Sequence, residues 1–408
     1  MRGTTFLKSF LLIWIGLYIF IYGFPFPLDN IPFTYELFSK YIIQFKTSFI
    51  LFFGKSILGI ETLEKIERTG SGDTTFDYVT IPAMMAVSFV IGLILFAIKK
   101  VRENSAGFYK WALVYARYFV GLTLISYGVA KFLVGQFPGP SLYSVDVLYG
   151  EMSPMGLAWR FFGYSDTYKI FMGVSEILAG FLLLFRRTVV LGALVSIAVC
   201  TNIVLVNFSF DVPVKLFSSH LLVFSILVLL PSMKAIVDFF LLHKTSGLGE
   251  LTPYFKKRKY RIVWLLFNIY YVGVIPITKM FGHFQGQKFR VHKNDWDGIY
   301  NGFEPDESRA WERLLVEGNY LVLITENGNR EWITINEVLP EGKISLKNSG
   351  NEEEPNELII KELSDKAYEL ELRIGNKKTK VNGKRKRITE YPLVQRGFHW
   401  INEYPYNR

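Results

Sequence analysis

With 408 residues, half of them apolar, 16% aromatic and 20% charged, the chain departs from the composition of an ordinary soluble protein, and its length allows two or three domains. Its net charge of +10 is carried largely by Lys and Arg in loops beside apolar segments, so bilayer orientation accounts for it and a nucleic-acid partner is excluded. The single cysteine, Cys200, excludes an internal disulfide, a CxxC redox pair and a cysteine-ligated metal centre.

A helix that crosses a bilayer core needs about 20 apolar residues. Seven stretches meet that length or come close: 6–23, 79–98, 111–134, 167–185, 188–207, 216–241 and 261–281. The first reads as a retained anchor, because Pro25-Phe26-Pro27 follows it and no small-residue cleavage site does; a cleaved signal is the alternative. In the loop after it, residues 35–58 repeat Phe, Ile and Leu at helical spacing with Lys40, Lys46 and Lys55 among them, the pattern of an amphipathic segment on the outer interface. Residues 135–167 combine Gly, Pro and aromatics (Phe137-Pro138-Gly139-Pro140, then Trp159-Arg160-Phe161-Phe162-Gly163), which suits either a re-entrant or interfacial cap over the helices or a plain surface loop.

Orientation follows from loop charge, since the cytoplasmic side keeps Lys and Arg. Lys99, Lys100, Arg102 and Lys110 lie between the second and third segments, Arg186 and Arg187 between the fourth and fifth, and Lys244 with Lys256, Lys257, Arg258 and Lys259 between the sixth and seventh. All three loops fall on one side, which Arg2 and Lys8 share. Seven crossings then put the N-terminus in the cytoplasm and the C-terminal part outside, in the periplasm if the membrane is a Gram-negative inner membrane.

After Gly282 the hydrophobic period changes from helical to alternating. Tyr320-Leu321-Val322-Leu323-Ile324, Glu331-Trp332-Ile333-Thr334-Ile335, Lys343-Ile344-Ser345-Leu346 and Tyr368-Glu369-Leu370-Glu371-Leu372-Arg373-Ile374 read as strands. Asn-Gly type turns are expected at 326–329, 348–351 and 381–384. The fold expected is an α-helical polytopic membrane domain followed by an antiparallel all-β barrel or sandwich of about six to eight strands over roughly 290–395. Its parts are 1–110, a membrane hairpin with an amphipathic outer loop; 111–281, a helical bundle with a final crossing; and 282–408, the outer β domain, whose aromatic ending (396–408) is expected to dock.

Charge inside a bilayer costs about 2.5–3.5 kcal/mol at a helix centre, so each such residue needs a reason. Arg117 and Glu176 lie at depths about one helical turn apart on adjacent antiparallel segments, which predicts a buried pair. The pair would either fix helix register or serve a quinone, proton or substrate site. Gly121 and Gly128 on one segment and Gly173 and Gly180 on the other allow the close backbone approach that would seal it. Lys131, near the outer end, can snorkel to the interface. With Arg160, Asp211, Lys215 and His220, also at outer ends, it defines a candidate outer pocket; a lone histidine there is more often a packing residue than a base or ligand. Asp295, Asp297, Glu304, Asp306 and Glu307 form an acidic run that reads better as a solvated loop than as a cation site, and His399, between Phe398 and Trp400, reads as packed. No metal site is predicted, and Walker A, GxSxG, HExxH, EF-hand and Rossmann patterns are absent.

Ala116-Arg117-Tyr118-Phe119-Val120-Gly121, Ser126-Tyr127-Gly128-Val129-Ala130-Lys131 and Ser175-Glu176-Ile177-Leu178-Ala179-Gly180-Phe181-Leu182-Leu183-Leu184 together resemble the DoxX family of four-helix membrane proteins over about 111–241. That family pairs an Arg and a Gly-x-x-Lys on its first helix with a Glu-x-x-small-Gly-x-x-Leu-Leu on its second. The resemblance implies a DoxX-like four-helix bundle and a quinone-linked or thiol-redox partnership, since the family includes the small subunit of thiosulfate:quinone oxidoreductase and relatives of MauE. The additional helices and the β domain depart from that compact pattern and look like longer DoxX-like proteins of Bacteroidota.

Three functions are consistent with these readings. The first is a non-enzymatic envelope component in which the β domain binds a periplasmic or membrane protein and lipid-embedded helices anchor it. The second is a quinone-interacting redox subunit, with Arg117, Lys131 and Glu176 at the site. The third is a lipid or small-molecule carrier with a lipocalin-like barrel.

Overall fold

The computed structural model describes residues 2–28, 39–65, 71–131, 135–245, 255, 257–275, 277–278, 295–303, 311–347, 356–364, 366–375 and 377–396. The chain divides into two compact units, one of 1–137, 154–158 and 165–286, the other of 138–153, 159–164 and 287–408.

The first unit is helical. Its helices are α1 (Arg2–Gly23), α2 (Gln44–Phe52), α3 (Thr75–Ala97), α4 (Ser105–Val129), α5 (Pro154–Tyr164), α6 (Asp166–Leu184), α7 (Val189–Ser209), α8 (Lys215–Leu229), α9 (Met233–Phe240) and α10 (Arg258–Asn268). Helix α5 is shared, its last turns belonging to the second unit. Local chemistry sets several ends. Thr74 caps α3 in a capping box: its hydroxyl accepts from the Asp77 N–H at 3.3 Å, and the Asp77 carboxylate accepts from the Thr74 N–H at 2.9 Å. Ser165 caps α6 by accepting from the Tyr168 N–H.

Among the described residues, six helical stretches are long and apolar enough to cross a membrane: Phe6–Gly23, Thr75–Ala97, Ser105–Val129, Asp166–Leu184, Val189–Ser209 and Lys215–Phe240, the last running from α8 through α9. Their outward faces carry Val90, Ile94, Phe171 and Leu205, each more than half exposed. In water such faces would drive aggregation; as lipid-facing surface they cost nothing. The unit is thus that of a multi-pass membrane protein. Of the seventh expected segment, the described part is α10 continued by a π turn, Ile269–Val274; residues 276 and 279–281 lie outside the described residues. Trp264, Phe267 and Tyr271 of this stretch pack on Tyr118 of α4. The amphipathic loop piece is helical over 39–57, and its Ile50 and Phe53 are buried against Leu63, Val79, Ala83 and Met84.

The second unit is a closed antiparallel barrel of eight strands, each paired with the next and β1 with β8. They are β1 (Gly298–Asn301), β2 (Arg313–Glu317), β3 (Tyr320–Ile324), β4 (Arg330–Leu339), β5 (Lys343–Leu346), β6 (Glu357–Ser364), β7 (Ala367–Ile374) and β8 (Lys377–Lys386). Among the described strands, closure leaves none with an unpaired edge. Alternation sends Leu314, Val316, Leu321, Leu323, Ile344, Leu358, Ile360, Leu370 and Leu372 into one core with Tyr300, and all are essentially inaccessible. Among the described residues the barrel interior is therefore filled with side chains.

Strands β1 to β3 are buried on their outer face as well. Ile299, Leu315, Val322 and Ile324 are covered by Leu142 and Tyr143 from the loop between α4 and α6 and by Ile388 and Tyr391 beyond β8. This is why β2 reads as a continuous apolar run instead of alternating. It also places 138–153 and 159–164 in the barrel unit, where an interfacial cap or plain surface loop was expected. The remaining outer face is solvated: Glu369 pairs with Lys380, and Glu371 with Arg373 and Lys378.

The turn at 326–329 joins β3 to β4, with Gly328 at φ +78°. The turn expected at 381–384 is instead interior strand, since Asn382 and Gly383 sit in β8 opposite Glu369 and Tyr368. The glycine serves packing, because a Cβ there would strike the Phe303 ring and lie 2.8 Å from the Asn301 carbonyl. Residues 348–351 and the tail from 397, including His399, lie outside the described residues.

Candidate functional site

Within the helical unit, α4 and α6 approach backbone to backbone. A Cβ on Gly128 would strike the Gly173 carbonyl oxygen, and one on Gly180 the Gly121 carbonyl oxygen. Two glycines seven residues apart on each helix bring the chains close enough for side chains beyond them to be shut in. There Lys131 Nζ donates to Glu176 Oε2 at 2.7 Å, with both residues buried. The Tyr127 and Phe137 rings flank the ammonium at 5.9 and 5.8 Å.

The ion pair on Glu176 is made by Lys131, where the sequence reading put Arg117. The reason is direction. Lys131 sits at the end of α4 and reaches back along α6, whereas Arg117 is nearly four turns earlier, buried, with its guanidinium over the Tyr118 ring at 5.0 Å. Lys131 does not snorkel to solvent.

The other expected outer residues fall in different places. Asp211 pairs with Lys215 at 2.7 Å, and the backbone N–H groups of Lys215 and Leu216 donate to Asp73, which caps α8 from a distant loop. His220 is a packing residue. Its Nδ1 faces the Leu216 carbonyl at 2.7 Å, which can only accept, so Nδ1 carries the hydrogen; a neutral ring then accepts the Tyr18 hydroxyl at Nε2, also at 2.7 Å. Tyr22 stacks on the ring at 4.0 Å. Among the described residues no cluster of three or more His, Cys, Asp or Glu could hold a metal ion. Asp297 of the acidic run accepts from the Gly318 N–H, while Glu304, Asp306 and Glu307 lie outside the described residues.

Arg160 belongs to the barrel unit. It lines a cavity of about 530 Å³ together with Val147, Glu151, Met152, Ser153, Asn327, Gly328, Asn329 and Arg330. Backbone carbonyls aim its two guanidiniums: Arg160 Nε donates to Ser144 at 3.1 Å and Arg330 Nη1 to Tyr143 at 2.8 Å. Glu317 holds the same loop, its carboxylate accepting from the N–H groups of Leu142 and Tyr143, and Arg313 pairs with Asp146 at 2.5 Å. Burial raises the Glu317 carboxyl above its ordinary range, partly offset by those two N–H donors. Sequence reasoning missed Arg330 and Glu151. The signal was the turn at 326–329, which fixes where β4 starts; that a loop 170 residues earlier meets it has no local signature.

One curated relative, the uncharacterized protein YwoB of Bacillus subtilis, is 40% identical over 113 residues, 28% of this chain and 71% of YwoB. The chain belongs to the YwoB family. No protein-family model matches it. No solved structure matches it either. The YwoB likeness concerns little more than a quarter of the chain, and YwoB is itself uncharacterized.

Proposed function

We propose that the chain is an inner-membrane component that couples a partner-binding barrel domain to a DoxX-like helical bundle, the partner being a periplasmic or membrane protein. One observation carries this reading: the loop between α4 and α6, the helices joined by Lys131 and Glu176, is built into the barrel unit. A load on the barrel therefore reaches the buried pair through a short covalent path.

Loop charge and chain parity support the orientation. Among the described residues three candidate spans precede the loop 138–164 and six precede α10. For loop and barrel to share one side of a bilayer, the chain must cross once more after residue 240. We assign that crossing to α10 and its continuation, which pack on α4 with the Tyr118 hydroxyl donating to Asn268 at 2.5 Å. With the basic loops inside, the barrel is periplasmic.

The test is photo-crosslinking in living cells from position 332, where Trp332 is 48% exposed on the barrel. We expect a discrete protein adduct whose yield changes at least several-fold in Glu176→Gln. Absence of an adduct, or a yield indifferent to Glu176, sinks the coupling reading. A second reading, a quinone-interacting redox subunit, is favoured by the two charged groups and two aromatic rings gathered at Lys131. It requires quinone reduction by purified membranes that disappears in Glu176→Gln.

A further inference from the structure

Helix α7 packs on α6 and α8 through one face, on which Gly192, Ala193, Ser196, Cys200 and Asn207 are buried. Its opposite face is bare. Leu191, Leu194, Ala198, Thr201, Leu205 and Phe208 are all exposed there, three, four, three, four and three residues apart, which is the spacing of a seam between two helices. Asn202, beside Thr201, is exposed on the same side. The helix ends at Ser209, about 10 Å further along the axis from Asn202. A bilayer core about 30 Å thick, which α7 is long enough to cross, therefore holds both polar side chains within hydrocarbon.

Lipid tails neither donate nor accept hydrogen bonds, so a polar side chain in a span has to be satisfied by protein. The hydroxyls of Thr80, Thr123, Ser175 and Ser225 do so by donating to the carbonyl four residues earlier, each at 2.8 Å. Asn207, on the packed face of α7, donates from Nδ2 to the Ser218 hydroxyl at 3.0 Å. Thr201 and Asn202 differ: among the described residues neither side chain has a hydrogen-bond partner. An amide carries both a donor and an acceptor, so two copies of Asn202 related by a two-fold axis can satisfy each other, each Nδ2 donating to the other's Oδ1. Ala198, one turn earlier on the seam, is small enough to let two backbones approach.

We propose that the bare face of α7 is the interface between two copies of this chain in the membrane, the helix crossing its counterpart along the seam from Leu191 to Phe208 with the two Asn202 amides bonded across the axis. The leucines and Phe208 supply the packing. The amides fix the register, because a slip along the helix leaves both of them in lipid. A self-complementary amide on an isologous face is the reason to assign a second copy and not a different protein. This inference needs α7 to be a span but no partner for the barrel, so it stands or falls separately from the coupling function.

The test uses the full-length protein, one pool carrying a donor fluorophore at its N-terminus and another an acceptor, reconstituted together in phosphatidylcholine vesicles over a range of protein-to-lipid ratios. Energy transfer should rise with protein density to the level of a dimer, and its midpoint should move to a density about tenfold higher in Asn202→Leu, through loss of the paired interhelical hydrogen bonds. As a monomer in detergent that variant should melt no lower than the wild type, since leucine suits a lipid-facing position; this separates the interface from a structural role within one copy. In a Cys200→Ser chain, Ala198→Cys should form a disulfide-linked dimer on oxidation in membranes, whereas Leu178→Cys, exposed on α6, should not. The proposal is overturned if the wild type stays monomeric at every density, if Asn202→Leu leaves the midpoint unchanged, or if Leu178→Cys crosslinks as readily as Ala198→Cys. Photo-crosslinking from position 202 in living cells that yields only adducts with a different protein would likewise overturn it.

Discussion

Lys131 and Glu176 are both nearly inaccessible, so each depends on the other to offset its desolvation. Lys131→Met leaves a buried carboxylate without its cation, and Glu176→Gln a buried ammonium without its anion. Each is expected to destabilise the detergent-solubilised protein by about 3–5 kcal/mol. Lys131→Met with Glu176→Leu should recover most of that, read as melting temperature. A double variant as unstable as the singles would show that other groups depend on the pair. The composition of this pair was legible in the sequence, since both residues stand out as charges in apolar runs. The pairing was not: depth alone matched Glu176 to Arg117, because the end of a helix and the reach of a lysine depend on how α4 terminates.

At the scale of elements, glycine spacing carried real information. The seven-residue repeats on α4 and α6 announce a close antiparallel contact, and the two carbonyls that would meet a Cβ are those of the facing glycines. Gly128→Ala should therefore push the helices apart. The expected cost is about 1–3 kcal/mol, typical of overpacking, with a larger loss if the Lys131–Glu176 bond lengthens as well. Melting compared with Gly150→Ala, where a Cβ meets nothing within 4 Å, isolates the helix contact from the general effect of removing a glycine. Equal melting of the two variants would mean that the helices can yield. The strand assignments succeeded in β4, β5 and β7, and in β3 although both of its faces are buried. They did not single out β1, β2 or β6, and they failed at β8, whose Asn-Gly pair imitates a turn while its glycine makes room for Phe303.

For the molecule as a whole, the barrel is not contained in the C-terminal sequence. Residues 287–408 expressed alone would bare Ile299, Leu315, Val322 and Ile324, each worth roughly 1.5–3 kcal/mol if fully uncovered. We expect that fragment to aggregate, and the same fragment with 138–164 fused ahead of it through a flexible linker to be a monomer by size-exclusion chromatography. A stable monomeric 287–408 would show that the loop is dispensable to the barrel, and with it the covalent route invoked for coupling.

The sequence by itself determined the division into apolar helices and a β domain, because hydropathy and its period are local properties that lipid and sheet each impose residue by residue. It also singled out Arg117, Lys131 and Glu176, since charge in an apolar run is conspicuous without any fold. Tertiary structure alone decided that Lys131 and not Arg117 meets Glu176, that the barrel closes on a filled core, and that a loop between two membrane helices completes the barrel and its Arg160–Arg330 cavity. Each of these joins residues from tens to nearly two hundred positions apart, and such contacts are fixed by packing, which no local window of sequence contains.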